Sequence, residues 1–198
     1  MLGLPSTTEV GRRIPKEAFY KNMRLDIATK RDFVEGVESI VVANSVKPST
    51  ANVADGRNVH EVLVVAVAPK GGAVPERVVR TIFDASGAQI VLVATDSGSV
   101  CVRDRGRDLW GEPLERLDIA GVDMDAVWDS MLAQVVLREK DGRDVRVRID
   151  RLLKIESLRT EAEKLDARAR RERQVSRKNE AYALLRRVRA ELEELEEE

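Results

Sequence analysis

The last quarter of the chain, residues 152–198, has the most regular pattern of apolar and polar positions. Apolar residues recur there at alternating spacings of four and three, and nearly every position between them is Arg, Lys or Glu. This pattern predicts helices that each bury one apolar stripe against a neighbouring helix. The larger apolar members of the two stripes are therefore candidate partner-binding residues: Leu158, Leu165, Leu185, Val188, Leu192 and Leu195.

Residues 150–198 are predicted to form a C-terminal arm of two helices. The apolar register breaks at Gln174-Val175-Ser176, where Ser176 is a candidate N-cap. In an antiparallel hairpin, each stripe would bury the other. The glutamates at the end of the arm would then lie beside the basic residues at its start, Arg151, Lys154 and Arg159. The alternative is one continuous helix, which would imply a coiled-coil dimer.

Before the arm, continuous apolar runs alternate with segments in which apolar residues recur at helical spacing. Residues 59–68 and 89–95 are predicted as buried strands, because both runs lack a polar face. Between them, residues 75–85 carry apolar side chains at helical spacing behind a starting proline, which predicts a helix. A strand, crossover helix and strand of this length favour parallel pairing.

The remaining elements before the arm are predicted with less regular patterns. Two short helices begin near Ser6 and Pro15, a longer helix covers residues 26–38, and a strand covers residues 39–46. A turn at residues 96–98 returns the chain as an antiparallel edge strand at 100–103, and residues 105–117 are irregular. Asp123 caps a helix over 123–136. Residues 145–149 fit either a strand or the lead-in to the arm.

Together these elements predict an α/β fold. Residues 1–149 form a body with a small, mostly parallel sheet of three to five strands and flanking helices. Residues 150–198 form an α-helical hairpin arm with coiled-coil-like packing.

Composition limits the classes of protein that this chain can be. Of the 198 residues, 43% are apolar but 4% are aromatic, so aliphatic side chains must fill the core. A net charge of −1 gives no overall attraction to nucleic acid, so any basic surface must be local. Cys101 lies within an apolar run and is interpreted as core filler. No secretory segment and no apolar run of about 18 residues is present, so we expect a cytoplasmic protein that does not contact membranes.

Residues that could carry catalysis are sparse. His60 is the only histidine. The chain therefore cannot form a zinc site with several histidine ligands, and a Ser-His-Asp triad would have to use this one side chain. Gly71-Gly72 follows a strand, but it lacks the residues of a phosphate-binding loop and is interpreted as a turn. We predict no catalytic residue, no metal site and no cofactor.

The main enzyme alternative is a divergent or degenerate metal-dependent nuclease of the restriction type. That chemistry needs an acid in one strand and an acid-x-Lys pair in the next. Lys70 ends a predicted buried strand, but Ala68 stands where the paired acid is needed. The carboxylates would have to come from elsewhere, and the candidates are Glu38, Asp55 and Glu61.

The predicted turn of the arm is locally basic, and we refer to its cations as the basic end. Phosphate contacts from such a surface would be salt-sensitive and independent of sequence. Tyr182 is the one aromatic residue near it, so base stacking is not indicated. The basic end consists of Lys164, Arg168, Arg170, Arg171, Arg173, Arg177 and Lys178.

Three segments form motifs: Leu4-Pro5-Ser6-Thr7-Thr8-Glu9-Val10 through to Tyr20, Gly121-Val122-Asp123-Met124-Asp125-Ala126-Val127-Trp128, and the basic break from Lys164 to Lys178. Together and in this order, they resemble a bacterial family described as domain of unknown function 4391. The resemblance spans the whole chain. The break departs from the family pattern, because a proline is expected where Val175 or Ser176 stands.

Members of that family tend to be encoded beside a helicase-like ATPase and a DNA methyltransferase, in systems that look like restriction-modification or phage defence. The resemblance therefore implies a non-enzymatic accessory subunit that binds one of these proteins through the arm, with DNA contact as a further expectation. It carries over no catalytic residue. The plainer interpretation of its motifs is that Pro15, Phe19, Tyr20 and Trp128 pack the N-terminal segment on the body. A self-associating scaffold, a homo-oligomer formed through the arm, is a third hypothesis.

Overall fold

Within residues 2–197, which the computed structural model describes, six strands form a single sheet. Their spatial order follows their order along the chain, from β1 at one edge to β6 at the other. The strands are β1 (Glu9–Arg13), β2 (Val37–Val46), β3 (Val62–Pro69), β4 (Gln89–Ala94), β5 (Val100–Asp104) and β6 (Arg107–Gly111). The chain divides into two units, the first ending at Val145 and the second starting at Arg146, and the sheet lies in the first.

The sheet is mostly antiparallel, so the predicted mostly parallel sheet is wrong. Among the described strands, β3 and β4 pair in parallel, with α4 (Glu76–Asp84) as the predicted crossover helix. Every other neighbouring pair in the described sheet is antiparallel. The reason lies in the connections, because short turns such as those between β4, β5 and β6 can join antiparallel strands but not parallel ones.

Residues 105–117, predicted as irregular, contain strand β6. Arg105 and Gly106 have φ angles of 47° and 77° and form a two-residue turn that places Asp104 opposite Arg107. An arginine in the left-handed conformation is not a usual turn signal, so the sequence pattern did not predict the pairing of β5 with β6. As a result β5 is an inner strand rather than the predicted edge.

The short helix predicted near Ser6 is a single turn. Residues Ser6–Thr8 form one 3-10 turn, and the chain then continues as β1 along β2. The pairing shifts register between Glu9 and Arg12, where Gly11 has a φ of +61°. All five residues of β1 are exposed, so the strand shows no alternation from which it could be recognised.

The helices of the first unit lie largely where the sequence predicts them. They are α1 (Lys16–Asn22), α2 (Ile27–Gly36), a single turn α3 (Pro48–Ala51), α4, and α5 (Met124–Leu132), which continues as a π-helical segment, Ala133–Leu137. The N-cap predicted for Asp123 is confirmed, since its carboxylate accepts the Ala126 N–H at 2.8 Å.

The main core of the first unit joins the sheet to α1, α2 and α4. Phe33 of α2 and Val78 of α4 are fully buried in this cluster beside Ile40 and Leu92 of the sheet. Cys101 is also fully buried in it, which confirms its interpretation as core filler. Each fully buried aliphatic or aromatic side chain of this kind contributes roughly 1.5–3 kcal/mol through the hydrophobic effect.

The second unit is a helical hairpin made of α6 (Val145–Arg171) and α7 (Val175–Glu197), which we call the hairpin. Residues 145–149 therefore begin a helix rather than a strand. The break occurs where it was predicted, but α7 begins at Val175, so Ser176 lies inside the helix and is not its N-cap. In the part of the chain that the structure describes, no helix is long and apolar enough to cross a membrane.

Contacts between α6 and α7 establish that the two helices are antiparallel. Lys154 pairs with Glu191 at 2.8 Å, and Arg159 pairs with Glu196 at 2.6 Å. The Arg151 guanidinium donates to the Leu195 carbonyl at 2.8 Å, where a cation also complements the negative end of the α7 dipole. The alternative of one continuous helix is therefore wrong.

Candidate functional site

The opening motif anchors the N-terminal segment to the first unit. The Thr8 hydroxyl donates to the Pro5 carbonyl at 2.7 Å and accepts from the buried Asn44 side chain at 2.9 Å. The Thr7 hydroxyl donates to the Thr50 carbonyl at 2.9 Å. These hydrogen bonds hold the segment against β2 and α3, so the threonines of this motif have a structural role.

The aromatic residues of the same motif pack as the plainer interpretation expected. Phe19 stacks on Phe33 with ring centroids 5.0 Å apart, and Tyr20 meets the Phe33 ring edge-on at 5.9 Å. Trp128, from the second motif, is also buried.

The second motif, around α5, holds the loop that precedes β3. Asp123 caps α5, and Asp125 accepts hydrogen bonds from the backbone N–H groups of Arg57 and Val59, each at 2.8 Å. A side chain at Gly121 would meet the backbone nitrogen of Val127 at 2.6 Å, so the chain needs glycine there. These residues organise the fold.

The remaining residues of the opening motif line a cleft of about 560 Å³ in the first unit, which we call the N-terminal cleft. It lies beside the end of β3 and the start of β2. Three cations from separate elements line it, Arg13 of β1, Lys16 of α1 and Lys70 after β3, together with the carboxylates of Glu17 and Glu38. A cleft of this size is in the range of small-molecule sites.

Backbone carbonyls at the end of α2 hold the two lysines of this cleft in place. Lys70 Nζ donates to the Val34 carbonyl at 2.6 Å, and Lys16 Nζ donates to the Val37 carbonyl. Burial lowers the pKa of Lys16 below the usual lysine range, and the nearby charge of Lys70 lowers it further. The cleft thus brings two ammonium groups close together.

Tyr20 also lines this cleft, and its side chain carries an unusual polar group. Its hydroxyl oxygen is buried and has no hydrogen-bond partner among residues 2–197. Burial raises the pKa of this hydroxyl, so it remains a donor at neutral pH. The sequence analysis interpreted Tyr20 as packing and did not single out Arg13 or Lys16, although all three belong to the quoted motif.

The residues proposed for the nuclease alternative lie at two ends of β3. Glu38 lines the N-terminal cleft with Lys70. Asp55 pairs instead with His60 at 2.9 Å, and Glu61 accepts from the Ser45 hydroxyl at 2.5 Å, both before β3 begins. An eight-residue strand spans roughly 25 Å, so Asp55 and Glu61 cannot share a metal with Lys70's end of the strand. No group of three or more His, Cys, Asp or Glu suited to a metal ion occurs within the described residues.

The basic end lies at the turn of the hairpin, as its position in the sequence predicted. Of its members, Arg170 pairs with Asp166 at 2.7 Å. The other six form no ion pair with an acidic residue in the described chain, and all but the half-buried Lys178 are exposed. Glu172 is held in the turn by the Gln174 N–H, which keeps the pKa of its carboxyl below the usual range.

The candidate partner-binding residues differ in exposure within the hairpin. Leu158 and Leu185 are each 3% exposed and Val188 is also buried. The other three are half-buried, namely Leu165, Leu192 and Leu195. The first three are therefore not accessible on the surface, while the half-buried members keep some area for contact.

The surface of α7 also carries residues that the sequence analysis did not single out. Tyr182 and Leu184 are 38% and 45% exposed. Arg186, Arg187 and Arg189 are exposed and make no hydrogen bond or ion pair with a described residue. Lys178, Tyr182, Arg186 and Arg189 follow at spacings of four, four and three, which places them on one face of α7. This shared face can be recognised from the spacing of these residues in the sequence alone.

The chain matches a known protein family. The model of a family described as domain of unknown function (DUF4391) matches residues 2–103 and 110–192. No curated protein matches, and no solved structure matches.

Proposed function

The chain belongs to the DUF4391 family, and we propose that it is a non-enzymatic accessory subunit of a cytoplasmic, DNA-targeting system of the restriction-modification or anti-phage kind. In this proposal the hairpin binds a helicase-like ATPase or a DNA methyltransferase, and its basic end contacts DNA phosphates. The proposal combines the gene neighbourhood implied by the family resemblance with the surface of the hairpin.

The observation that carries the proposal is the cation-rich turn of the hairpin. Six of the seven basic-end residues form no ion pair with a described acidic residue, although the chain as a whole has a net charge of −1. Lys154 and Arg159, at the other end of the hairpin, are paired with Glu191 and Glu196. The unpaired cations of the basic end are available for phosphate oxygens.

The protein partner is assigned to the apolar surface that remains exposed on the hairpin. Tyr182 and Leu184 offer an aromatic and an aliphatic contact on α7, and Leu192 and Leu195 remain half-buried farther along it. Aromatic and aliphatic side chains framed by arginines are typical of protein–protein contact surfaces.

DNA binding by the basic end should not depend on sequence, because lysine and arginine contacts to phosphate carry no base information. One short end of a helix pair can reach about two to four phosphates. We therefore expect the logarithm of affinity to fall with the logarithm of salt concentration with a slope of roughly −2 to −4.

The test is a salt titration of DNA binding by the full-length protein, followed by fluorescence anisotropy. The variant Arg170→Glu, Arg171→Glu and Arg173→Glu should abolish binding at moderate salt, because it replaces three cations of the basic end by anions. A matched control, Lys21→Glu, Arg24→Glu and Lys30→Glu, makes the same change of charge at exposed positions of the first unit.

The control triple variant should keep most of the wild-type affinity if the basic end provides the contacts. Equal binding by wild type and the basic-end variant would contradict direct DNA contact there, and an equal loss in both variants would show that only net charge matters.

A further inference from the structure

The N-terminal cleft gathers positive charge that the proposed function does not use. Arg13 and Lys16, which lie three positions apart on β1 and α1, meet Lys70, which follows β3, at one opening. Arg13 is exposed and forms no ion pair with an acidic residue of the described chain. Three converging cations are the feature that proteins use to bind phosphate groups.

The two lysines are positioned before any ligand arrives. Each ammonium group has three N–H donors and uses one on a backbone carbonyl, so two donors on each lysine remain. Since the carbonyls belong to Val34 of α2 and to Val37, the first residue of β2, the fold holds the lysine side chains in place. A ligand that accepts from both would not have to order them.

The other walls of the cleft define the rest of that ligand. Ile14, Pro15 and Val34 give an apolar side against which a flat ring can pack. Glu17 and Glu38 are acceptors for hydroxyl or amino groups. A phosphate joined to a hydroxyl-bearing sugar and a base matches this combination, and a volume of about 560 Å³ has room for it.

We propose that the N-terminal cleft is a nucleotide-binding site, in which Arg13, Lys16 and Lys70 hold the phosphate of a nucleoside monophosphate. The nucleotide is either free in solution or the phosphorylated 5′ end of a nucleic-acid strand. This inference is independent of the hairpin and of the proposed partner.

The test is isothermal titration calorimetry of the full-length protein with AMP as the probe and adenosine as the control without phosphate. AMP should bind and adenosine should bind at least about tenfold more weakly, because charge-assisted hydrogen bonds to the phosphate supply the affinity. No measurable binding of AMP, or equal binding of the two, would overturn the proposal.

One pair of variants locates the site without relying on residues that support the fold. Arg13→Gln should weaken AMP binding about tenfold or more, whereas Arg12→Gln, at the exposed neighbour outside the cleft, should leave it unchanged. Equal affinities for Arg13→Gln and Arg12→Gln would overturn the assignment.

The source of the nucleotide is identified with oligonucleotides that carry either a 5′ phosphate or a 5′ hydroxyl. These are compared in the background of the basic-end triple variant, so that the hairpin does not contribute. A preference for the 5′ phosphate that Arg13→Gln removes would support a strand end as the ligand, and no such preference alongside AMP binding would support a free nucleotide.

Discussion

Asp125 shows how one carboxylate can organise a long loop. It accepts hydrogen bonds from the consecutive backbone N–H groups of Arg57, Asn58 and Val59, at 2.8, 3.1 and 2.8 Å. Partial burial raises the pKa of Asp125, but these N–H donors lower it by more, so the pKa of the carboxyl lies below the usual aspartate range. The ionised form is therefore the one that stabilises the folded chain.

This shift predicts a pH dependence of stability. A carboxyl whose pKa is lowered by folding stabilises the protein above its unfolded-state pKa of about 3.9, and this stabilisation is lost as pH falls through the lower folded-state pKa. Asp125→Asn should therefore unfold at lower urea concentration than wild type at pH 7, and the difference should shrink toward pH 3. The measurement is urea unfolding of both proteins across that pH range.

Asp96→Asn is the matched control, because Asp96 is exposed and has no partner in the described chain. It should change stability little at any pH in this range. A difference between wild type and Asp125→Asn that stays constant from pH 7 to pH 3 would contradict the role of the ionised carboxylate.

At the scale of elements, the edge of the sheet depends on close packing of β6 against the π-helical segment after α5. A Cβ atom at Gly111 of β6 would lie 2.2 Å from the Val135 carbonyl oxygen. The clash involves backbone, so rotation of a side chain cannot relieve it. The last residue of β6 therefore has to be glycine for the strand to approach the segment this closely.

Gly111→Ala is expected to destabilise the protein by about 1–3 kcal/mol or more, which is the usual cost of overpacking a site that cannot relax. The control is Gly71→Ala, because a Cβ atom there has nothing within 4 Å and its φ is not in the left-handed region. Urea unfolding monitored by circular dichroism measures both variants. Similar midpoints for the two alanine variants would show that β6 does not pack on the segment in this way.

How far the sequence predicts these elements depends on burial. β3 and β4 were predicted because they are buried on both faces, whereas β1 is exposed along its length. β6 follows a turn whose first residue, Arg105, is not a usual turn residue. The direction of pairing was mispredicted because it follows from the connections rather than from strand composition. The antiparallel hairpin could be predicted, since opposite charges at the two ends of the arm bring Lys154 beside Glu191.

The N-terminal cleft could not have been predicted in the same way. Lys16 and Lys70 are 54 positions apart in the numbering of the chain, and only the pairing of β2 with both β1 and β3 brings their elements to one edge. No spacing of residues within one segment of the sequence indicates that these two lysines line the same cleft. The basic end, by contrast, is local in sequence and could be located before the fold was known.

At the scale of the whole molecule, two units carry separate surfaces. The first unit, up to Val145, contains the sheet and the N-terminal cleft, and the second unit is the hairpin with its basic end. The family model matches residues in both units. In the proposed function the hairpin makes the contacts with protein and DNA, so changes on its exposed surface should affect assembly without affecting the fold of the first unit.

The most direct test of the account is co-purification of the full-length tagged protein from its native host, with partners identified and quantified by mass spectrometry. Wild type should recover a helicase-like ATPase or a DNA methyltransferase, and the variant Tyr182→Ser with Leu184→Ser should lose it, because both side chains are exposed on α7. The control variant, Ile27→Ser with Val122→Ser, removes two exposed apolar side chains from the first unit and should retain the partner. Recovery of neither partner by wild type, or undiminished recovery by the hairpin variant, would contradict the claim that the hairpin binds such a partner.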